Sequence, residues 1–345
     1  MSGLNRASKI FLHNYQTQYP AAQRAAVIAQ LVVERLAKDT GVLIHVVTAR
    51  AKAPDSIREK LRKKQYVKPA RQLTDVVGVR VITYYRDAVD LIVSRLSQAF
   101  EINRDASTDK RLALDLREFG YRSVHLIARL RPEHIRVNGD EFLRENWFEI
   151  QVRSLLEHAW AEIEHEIVYK SGIKQPNTVL RRFASLAGSL ELFDSEFLSL
   201  REQRKELIES YRNLYARKQG RRVSFDVARL LGFLEASRPG LSWRQAEDEG
   251  RPFLPGLEVS CVEALKTAGI GTPASLKKVF SSSRFRYATS TFAASQGISP
   301  TEISHLAAVV LAVIVKDLPT VQRHFPNLMY DPALTLMVQR RAPRG

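Results

Sequence analysis

Two spacings of apolar residues divide the first two thirds of the chain between them. From about Ser8 to Lys38 the spacing is helical: Ala25, Ile28, Ala29, Val32 and Leu36 recur three and four apart, with Arg24, Gln30 and Arg35 elsewhere around the axis. Gly41 is well placed to end that helix. Leu43 to Val47 reads as a short β-branched strand leading to Arg50. Asp75-Val76-Val77-Gly78-Val79-Arg80-Val81-Ile82 reads as a buried strand with a carboxylate at its mouth, and Gly78 inside it suits a close approach to the backbone. Asp87 to Phe100 returns to helical spacing, with Val89, Ile92, Val93, Leu96 and Phe100 on one side.

After a polar loop from Asn103 to Arg117, a strand is expected through Glu118 to Ala128. The two-residue period puts Tyr121, Ser123 and His125 on one of its faces. Glu133 to Asn146 is a polar connection with a hairpin signal at Asn138-Gly139. Trp147 to Arg153 is a second short strand, carrying Glu149, Gln151 and Arg153. It runs into a helix from about Leu155 to Lys170, on which His158, Glu162, His165 and Glu166 lie near one another. No HExxH order is present, so a polar helix face lining a pocket is expected rather than a zinc site. Val179 to Arg217 reads as one or two long helices, with Leu186, Leu190, Phe193, Phe197, Leu198 and Leu200 available for a core or an oligomer interface.

Lys218 to Arg222 is the best boundary, giving one domain over 1–220 and a mainly helical one over 223–345. The expected fold class is α/β (α+β): a mixed sheet of about five strands flanked by helices, plus the helical C-terminal domain. Within the second domain Arg284, Arg286 and Tyr287 form a small basic-aromatic cluster, which reads first as solvated surface.

Charge sharpens the picture. A formal charge of +16 and a pI near 10 over 345 residues imply a polyanionic partner. A single cysteine, Cys261, excludes an intramolecular disulfide framework and a multi-cysteine zinc site. No apolar core follows Met1, and the longest apolar run, Leu306 to Val315, is too short to span a bilayer. A cytoplasmic protein with no membrane partner is the default expectation. The densest charge falls between Arg50 and Arg71, nine Lys/Arg against Asp55 and Glu59. Asp55 or Ser56 is a candidate cap for the helix that begins there, and Ser56 and Lys60 share a helix face. A basic loop feeding a helix N-terminus suits phosphate. Asp75 and Glu149, each at a strand, can meet around a metal ion.

The order of these motifs is specific. ArgxLysxxxSerxxxLys (Arg50, Lys52, Ser56, Lys60) is followed by AspxxGlyxArg (Asp75, Gly78, Arg80). GlyTyrArgSerxHis (Tyr121, Ser123, His125) and GluxGlnxArg (Glu149, Gln151, Arg153) come next, and then a helix reading HisAlaTrpAlaGluIleGluHis from His158. Over about residues 20 to 215 the chain resembles the nucleotidyltransferase-like synthetase domain of the RelA/SpoT family, whose small members are alarmone synthetases. The resemblance implies Mg²⁺-dependent transfer of the β,γ-diphosphate of ATP to the 3′-hydroxyl of GDP or GTP. By the same resemblance Arg50 and Arg80 sandwich adenine, and Lys52, Ser56 and Lys60 hold the ATP phosphates. Asp75 holds Mg²⁺, and Glu149 orients or deprotonates the acceptor hydroxyl and shares the metal. Tyr121 stacks on the acceptor base, while Ser123, His125, Gln151, Arg153 and His158 line the acceptor side.

Two departures touch the acceptor. Leu116-Arg117-Glu118-Phe119-Gly120 stands where guanosine-using members usually carry Lys or Pro-x-Gly, and His158 stands where small synthetases tend to carry a base-reading Asn. Transfer to the 3′ end of tRNA, synthesis of adenosine alarmones, and a non-catalytic RNA-binding or regulatory module therefore stay open. Further partner expectations are tRNA or ribosome, and self-association. No His-Asp pair occurs, so the family's metal-dependent hydrolase domain is not expected.

Overall fold

In the computed structural model of the chain, residues 4–64, 66–109, 123–131, 140–169, 176–238 and 257–325 are described. Helix α1 (Arg6–Lys38) starts at Asn5, whose side chain accepts the Ser8 amide at 2.8 Å. It ends before the turn that contains Gly41, at φ +71°. Strand β1 (Ile44–Ala51) carries Arg50 within the strand itself. Helix α2 (Pro54–Lys63) begins earlier than either expected cap: Pro54 is its first residue, Ala53 flanks it, and no side chain caps it. Proline's fixed φ and missing N–H suit that first position. A single turn, α3 (Pro69–Gln72), leads to β2 (Val77–Thr83), so Asp75 lies two residues ahead of the strand.

Helix α4 (Asp87–Ala99) runs into β3 (Phe100–Ile102). The polar stretch that follows contains a two-residue strand, β4 (Thr108–Asp109). Strand β5 (Val124–Leu130) holds His125; the expected Gly120-Tyr121 part of that strand and the Asn138-Gly139 hairpin lie outside the described residues. A short helix, α5 (Glu141–Glu145), precedes β6 (Phe148–Ser154). Helix α6 (Leu155–Glu164) opens with a capping box between Ser154 and Glu157 and continues into a π-helical turn over His165–Tyr169.

The sheet order is β1-β2-β6-β5-β3, with β4 paired to β5. All neighbours are antiparallel except β2 and β6, which run parallel. The mixed sheet flanked by helices is as expected, with six described strands where about five were read. The period of two divides its faces. Val77, Val79, Val81, Ile150 and Val152 are fully buried on the face covered by α1 and α4. Gly78, Arg80, Glu149, Gln151 and Arg153 alternate with them and therefore point to the other face, where α6 packs.

The chain divides into two compact units, Met1–Ser199 and Leu200–Gly345. One helix, α7 (Asn177–Ala216), covers the stretch expected as one or two, and Leu186, Phe193 and Phe197 are half exposed along it. The second unit is mainly helical: α8 (Val227–Ser237), α9 (Leu257–Thr267), α10 (Pro273–Phe280), α11 (Ser283–Gln296), α12 (His305–Lys316) and α13 (Leu318–His324). The long apolar run is α12, buried from His305 to Val313 apart from Ala307, as a helix apolar all round must be. No helix among the described residues is long and apolar enough to cross a membrane.

Candidate functional site

Parallel pairing of β2 with β6 brings the starts of both strands to one end of the sheet. Gly78 lies opposite Glu149 on one side and opposite Arg50 on the other. Directly paired residues share a face, so the missing side chain at Gly78 leaves a gap between a guanidinium and a carboxylate. A Cβ built there meets nothing within 4 Å. The next row across the sheet reads Thr48, Arg80, Gln151, His125. The gap belongs to a cavity of about 350 Å³ lined by Thr48, Ala49, Arg50, Lys52, Asp75, Gly78, Val79, Arg80, Glu149 and Gln151. That volume lies in the usual range of small-ligand sites.

Asp75 sits between two ammonium groups. Its Oδ2 accepts from both Lys52 Nζ and Lys60 Nζ, the latter at 2.7 Å. Burial raises the carboxyl, but the two ammonium groups outweigh burial and hold it below its ordinary value. Its other oxygen, Oδ1, is buried with no hydrogen-bond partner. A buried carboxylate oxygen left bare is costly, and hard cations such as Mg²⁺ take just such oxygens. The donor set therefore fits a divalent cation held by Asp75 with Glu149, although no group of three or more His, Cys, Asp or Glu side chains suited to a metal occurs among the described residues.

Glu149 is held at both oxygens. His125 Nδ1 lies 2.7 Å from Oε1, and Gln151 Nε2 donates to Oε2 at 2.8 Å. Burial pushes this carboxyl up; the bonds from His125 and Gln151 more than offset it, so its value is depressed. The chain of contacts extends both ways. Ser123 Oγ sits 2.6 Å from His125 Nε2, and Arg153 Nη2 donates to Gln151 Oε1. Burial, then the charge of Arg80, lower the Arg153 guanidinium, whose Nε is buried without a partner. Arg80 Nη1 donates to Glu162 Oε1 of α6 at 2.8 Å. His158, one turn earlier on α6, is lowered by burial and then by Arg153, which favours the neutral ring; its Nδ1 has no hydrogen-bond partner.

The structure thus joins Arg50, Lys52, Asp75, Arg80, Glu149 and Gln151 around one cavity, ties Lys60, Ser123, His125 and Arg153 to it by direct or one-residue contacts, and sets His158 beside Arg153. Ser56 lies one turn before Lys60 in the first turn of α2, exposed, and does not line the cavity. Tyr121 lies outside the described residues.

One residue went unread in the sequence. Tyr15 of α1 is 3% exposed, and its hydroxyl donates to the Lys52 carbonyl at 2.6 Å, with the Val76 carbonyl 3.4 Å away. The Lys52 amide in turn bonds the Val76 carbonyl at 2.8 Å. Tyr15 therefore pins together the two backbone segments that present Lys52 and Asp75. The available signal was a tyrosine on an apolar helix stripe, because a buried phenol must find an acceptor.

A cavity that sets cations on either side of two carboxylates is suited to a phosphorylated ligand. A family model described as "Region found in RelA / SpoT proteins" matches residues 49–174, which hold every cavity residue except Thr48. The chain is 30% identical over 165 residues to the GTP pyrophosphokinase YjbM of Bacillus subtilis (strain 168), covering 47% of this chain and 74% of that protein. It is 26% identical over 159 residues to the GTP pyrophosphokinase YwaC of the same strain, covering 45% and 72%. Among solved structures, small alarmone synthetase 1 from Bacillus subtilis matches 56% of this chain and 98% of its own, at 22% identity and a TM-score of 0.44. The chain belongs to the RelA/SpoT family.

Proposed function

We propose that the chain transfers the β,γ-diphosphate of ATP to the 3′-hydroxyl of GDP or GTP with Mg²⁺. The observation that carries this reading is the bare Oδ1 of Asp75 in a cavity shared with Glu149 and walled by Arg50, Lys52 and Arg80. Asp75 and Glu149 hold the metal. When bound, Mg²⁺ neutralises phosphate charge and polarises the transferred group. Arg50 and Arg80 flank the adenine with planar guanidinium faces. Lys52, Lys60 and the first turn of α2 with Ser56 neutralise the phosphates. The acceptor 3′-oxygen attacks the β-phosphorus, the bond from that phosphorus to the α–β bridging oxygen breaks, and AMP departs. The hydroxyl proton passes to Glu149, each of whose oxygens keeps a lone pair beyond its bond to His125 or Gln151. Such transfer relies on positioning and electrostatics more than on covalent chemistry.

The test is incubation with γ-labelled ATP and, separately, GDP, GTP, AMP, no acceptor, and bulk tRNA. Label on GDP or GTP is the expected result; label only on tRNA or an adenine nucleotide sinks the guanosine acceptor, and no transfer to anything sinks the reaction. His158 enters as a reader of the acceptor base, its neutral ring set beside Arg153 with Nδ1 3.9 Å from Glu162 Oε1.

Two variants test the donor side. Arg50→Ala and Arg80→Ala each remove a stacking face worth roughly 1–3 kcal/mol. Each should weaken ATP binding by about tenfold or more in calorimetry, whatever the acceptor. An unchanged ATP affinity with weakened acceptor binding would show the two sides to be reversed. Tyr15→Phe removes one buried hydrogen bond, a stability cost of about 1–2 kcal/mol. If Tyr15 sets the spacing of Lys52 and Asp75, the Mg²⁺ concentration for half-maximal transfer should also rise. A lowered melting temperature with an unmoved Mg²⁺ requirement would leave Tyr15 a packing residue only.

A further inference from the structure

The second unit carries charge that the proposed reaction does not use. Between Glu209 and Asp226, and again between Glu263 and Glu302, the chain has no acidic residue. The first run holds Arg221 and Arg222, the second Lys277, Lys278 and Arg286, all exposed and none paired with a carboxylate among the described residues.

The fold brings the two runs together. The Ala274 amide donates to the Arg221 carbonyl at 2.9 Å, and the Phe225 amide to the Gly271 carbonyl at 2.8 Å. Ala274, Lys277 and Lys278 are spaced i, i+3 and i+4, so both lysines lie on one face of α10, the helix whose first turn is bonded to the Arg221 carbonyl. Ser281 and Ser282 then turn the chain into α11, whose first two turns carry Arg286 and Tyr287. Tyr287 follows Arg286 in the chain and is 50% exposed, while the apolar residues Val279, Phe285 and Ala288 of the same two helices are buried.

We infer that this face of the second unit binds single-stranded RNA. Unopposed lysine and arginine recognise a phosphate backbone, and exposed Ser281 and Ser283 offer hydroxyls to phosphate and ribose. Tyr287 is a shelf on which an unpaired base stacks. A duplex offers it no unpaired base. A lipid surface would call for a broad apolar wedge, whereas the side chains that would form one here are turned into the core.

The test uses the full chain and a fluorescein-labelled, mixed-sequence 20-nucleotide single-stranded RNA, read by anisotropy across a salt series. It involves no nucleotide donor, so its outcome is independent of whether diphosphate transfer is observed. The wild type should bind the RNA more tightly than the same sequence as duplex RNA or as single-stranded DNA. Replacing Lys277, Lys278, Arg221 and Arg286 together with glutamine should weaken binding at least tenfold. It should also flatten the plot of log affinity against log salt by about 3, each of the four neutralised phosphates contributing about 0.7. Tyr287→Ala should cost about fivefold with the salt slope unchanged. All these positions are exposed, so the variants should melt close to the wild type. A control variant with Lys9, Arg24, Lys38 and Arg95 of the first unit changed to glutamine should bind within about threefold of wild type. The inference is overturned if the control loses as much as the test variant, if duplex RNA or DNA binds equally well, or if vesicles containing phosphatidylserine compete where RNA does not.

Discussion

Replacing Asp75 with asparagine is expected to leave the fold standing and to abolish transfer. The carboxylate is not needed to hold the sheet, since it sits ahead of β2 and, among the described residues, its ion pairs run to the ends of the Lys52 and Lys60 side chains. Those two side chains are about a quarter to a third exposed, so solvent compensates them when the anion is removed. Asparagine keeps the shape and one acceptor oxygen but supplies no anionic ligand. A Lewis-acid contact is worth several kcal/mol of barrier, so transfer should fall by about 10³-fold or more. Glu149→Gln should behave alike, with one addition: its amide would set an N–H against His125 or Gln151. Assays of both variants at saturating Mg²⁺ and ATP, with melting curves alongside, check the assignment; turnover within tenfold of wild type in either would end it.

The same variant gives a pH signature. The Asp75 carboxyl is depressed in the folded chain, so its ion pairs contribute stability above the ordinary carboxylate value of about 3.9 and lose it as pH falls through the depressed folded value. The stability difference between wild type and Asp75→Asn should therefore be constant near neutrality and close below about pH 4.

Strand alternation made much of this site legible in the sequence. Glu149, Gln151 and Arg153 had to share a face once Trp147 to Arg153 was read as a strand, and the structure shows that face, with Phe148, Ile150 and Val152 buried on the other. The spacing of Ser56 and Lys60 was legible for the same reason of period. What alternation could not supply was register. That Gly78 stands between Arg50 and Glu149 depends on which residues of β1, β2 and β6 pair, over separations of 28 and 71 positions, and pairing is decided by the packing of the whole sheet. Tyr15 was hidden likewise: its partners at Lys52 and Val76 are 37 and 61 residues away. The start of α2 was misplaced because Asp55 and Ser56 are both good caps, while Pro54 tolerates the first helical position better than either needs the cap.

Register yields the second large effect. Gly78 has no left-handed φ to protect, and a Cβ there meets open space, so Gly78→Val should fold. Its β-branched side chain favours a strand, and the loss of glycine's freedom in the unfolded chain adds about 0.4–1 kcal/mol of stability. Yet directly paired residues on one face stand only about 5 Å apart at Cβ. An isopropyl group at 78 would occupy the space between the Arg50 guanidinium and the Glu149 carboxylate, the space that the proposed reaction assigns to the transferred phosphates. Misplacing reacting groups by about 1 Å costs roughly 10²-fold, and blocking the gap should cost at least that, with Gly78→Ala intermediate. The expected pattern is a melting temperature at or above wild type together with a graded loss of ATP binding and transfer from Gly to Ala to Val. A folded Gly78→Val chain with normal ATP affinity would show that substrate enters elsewhere than between Arg50 and Glu149. An unfolded one would show that the floor of the cavity is already filled.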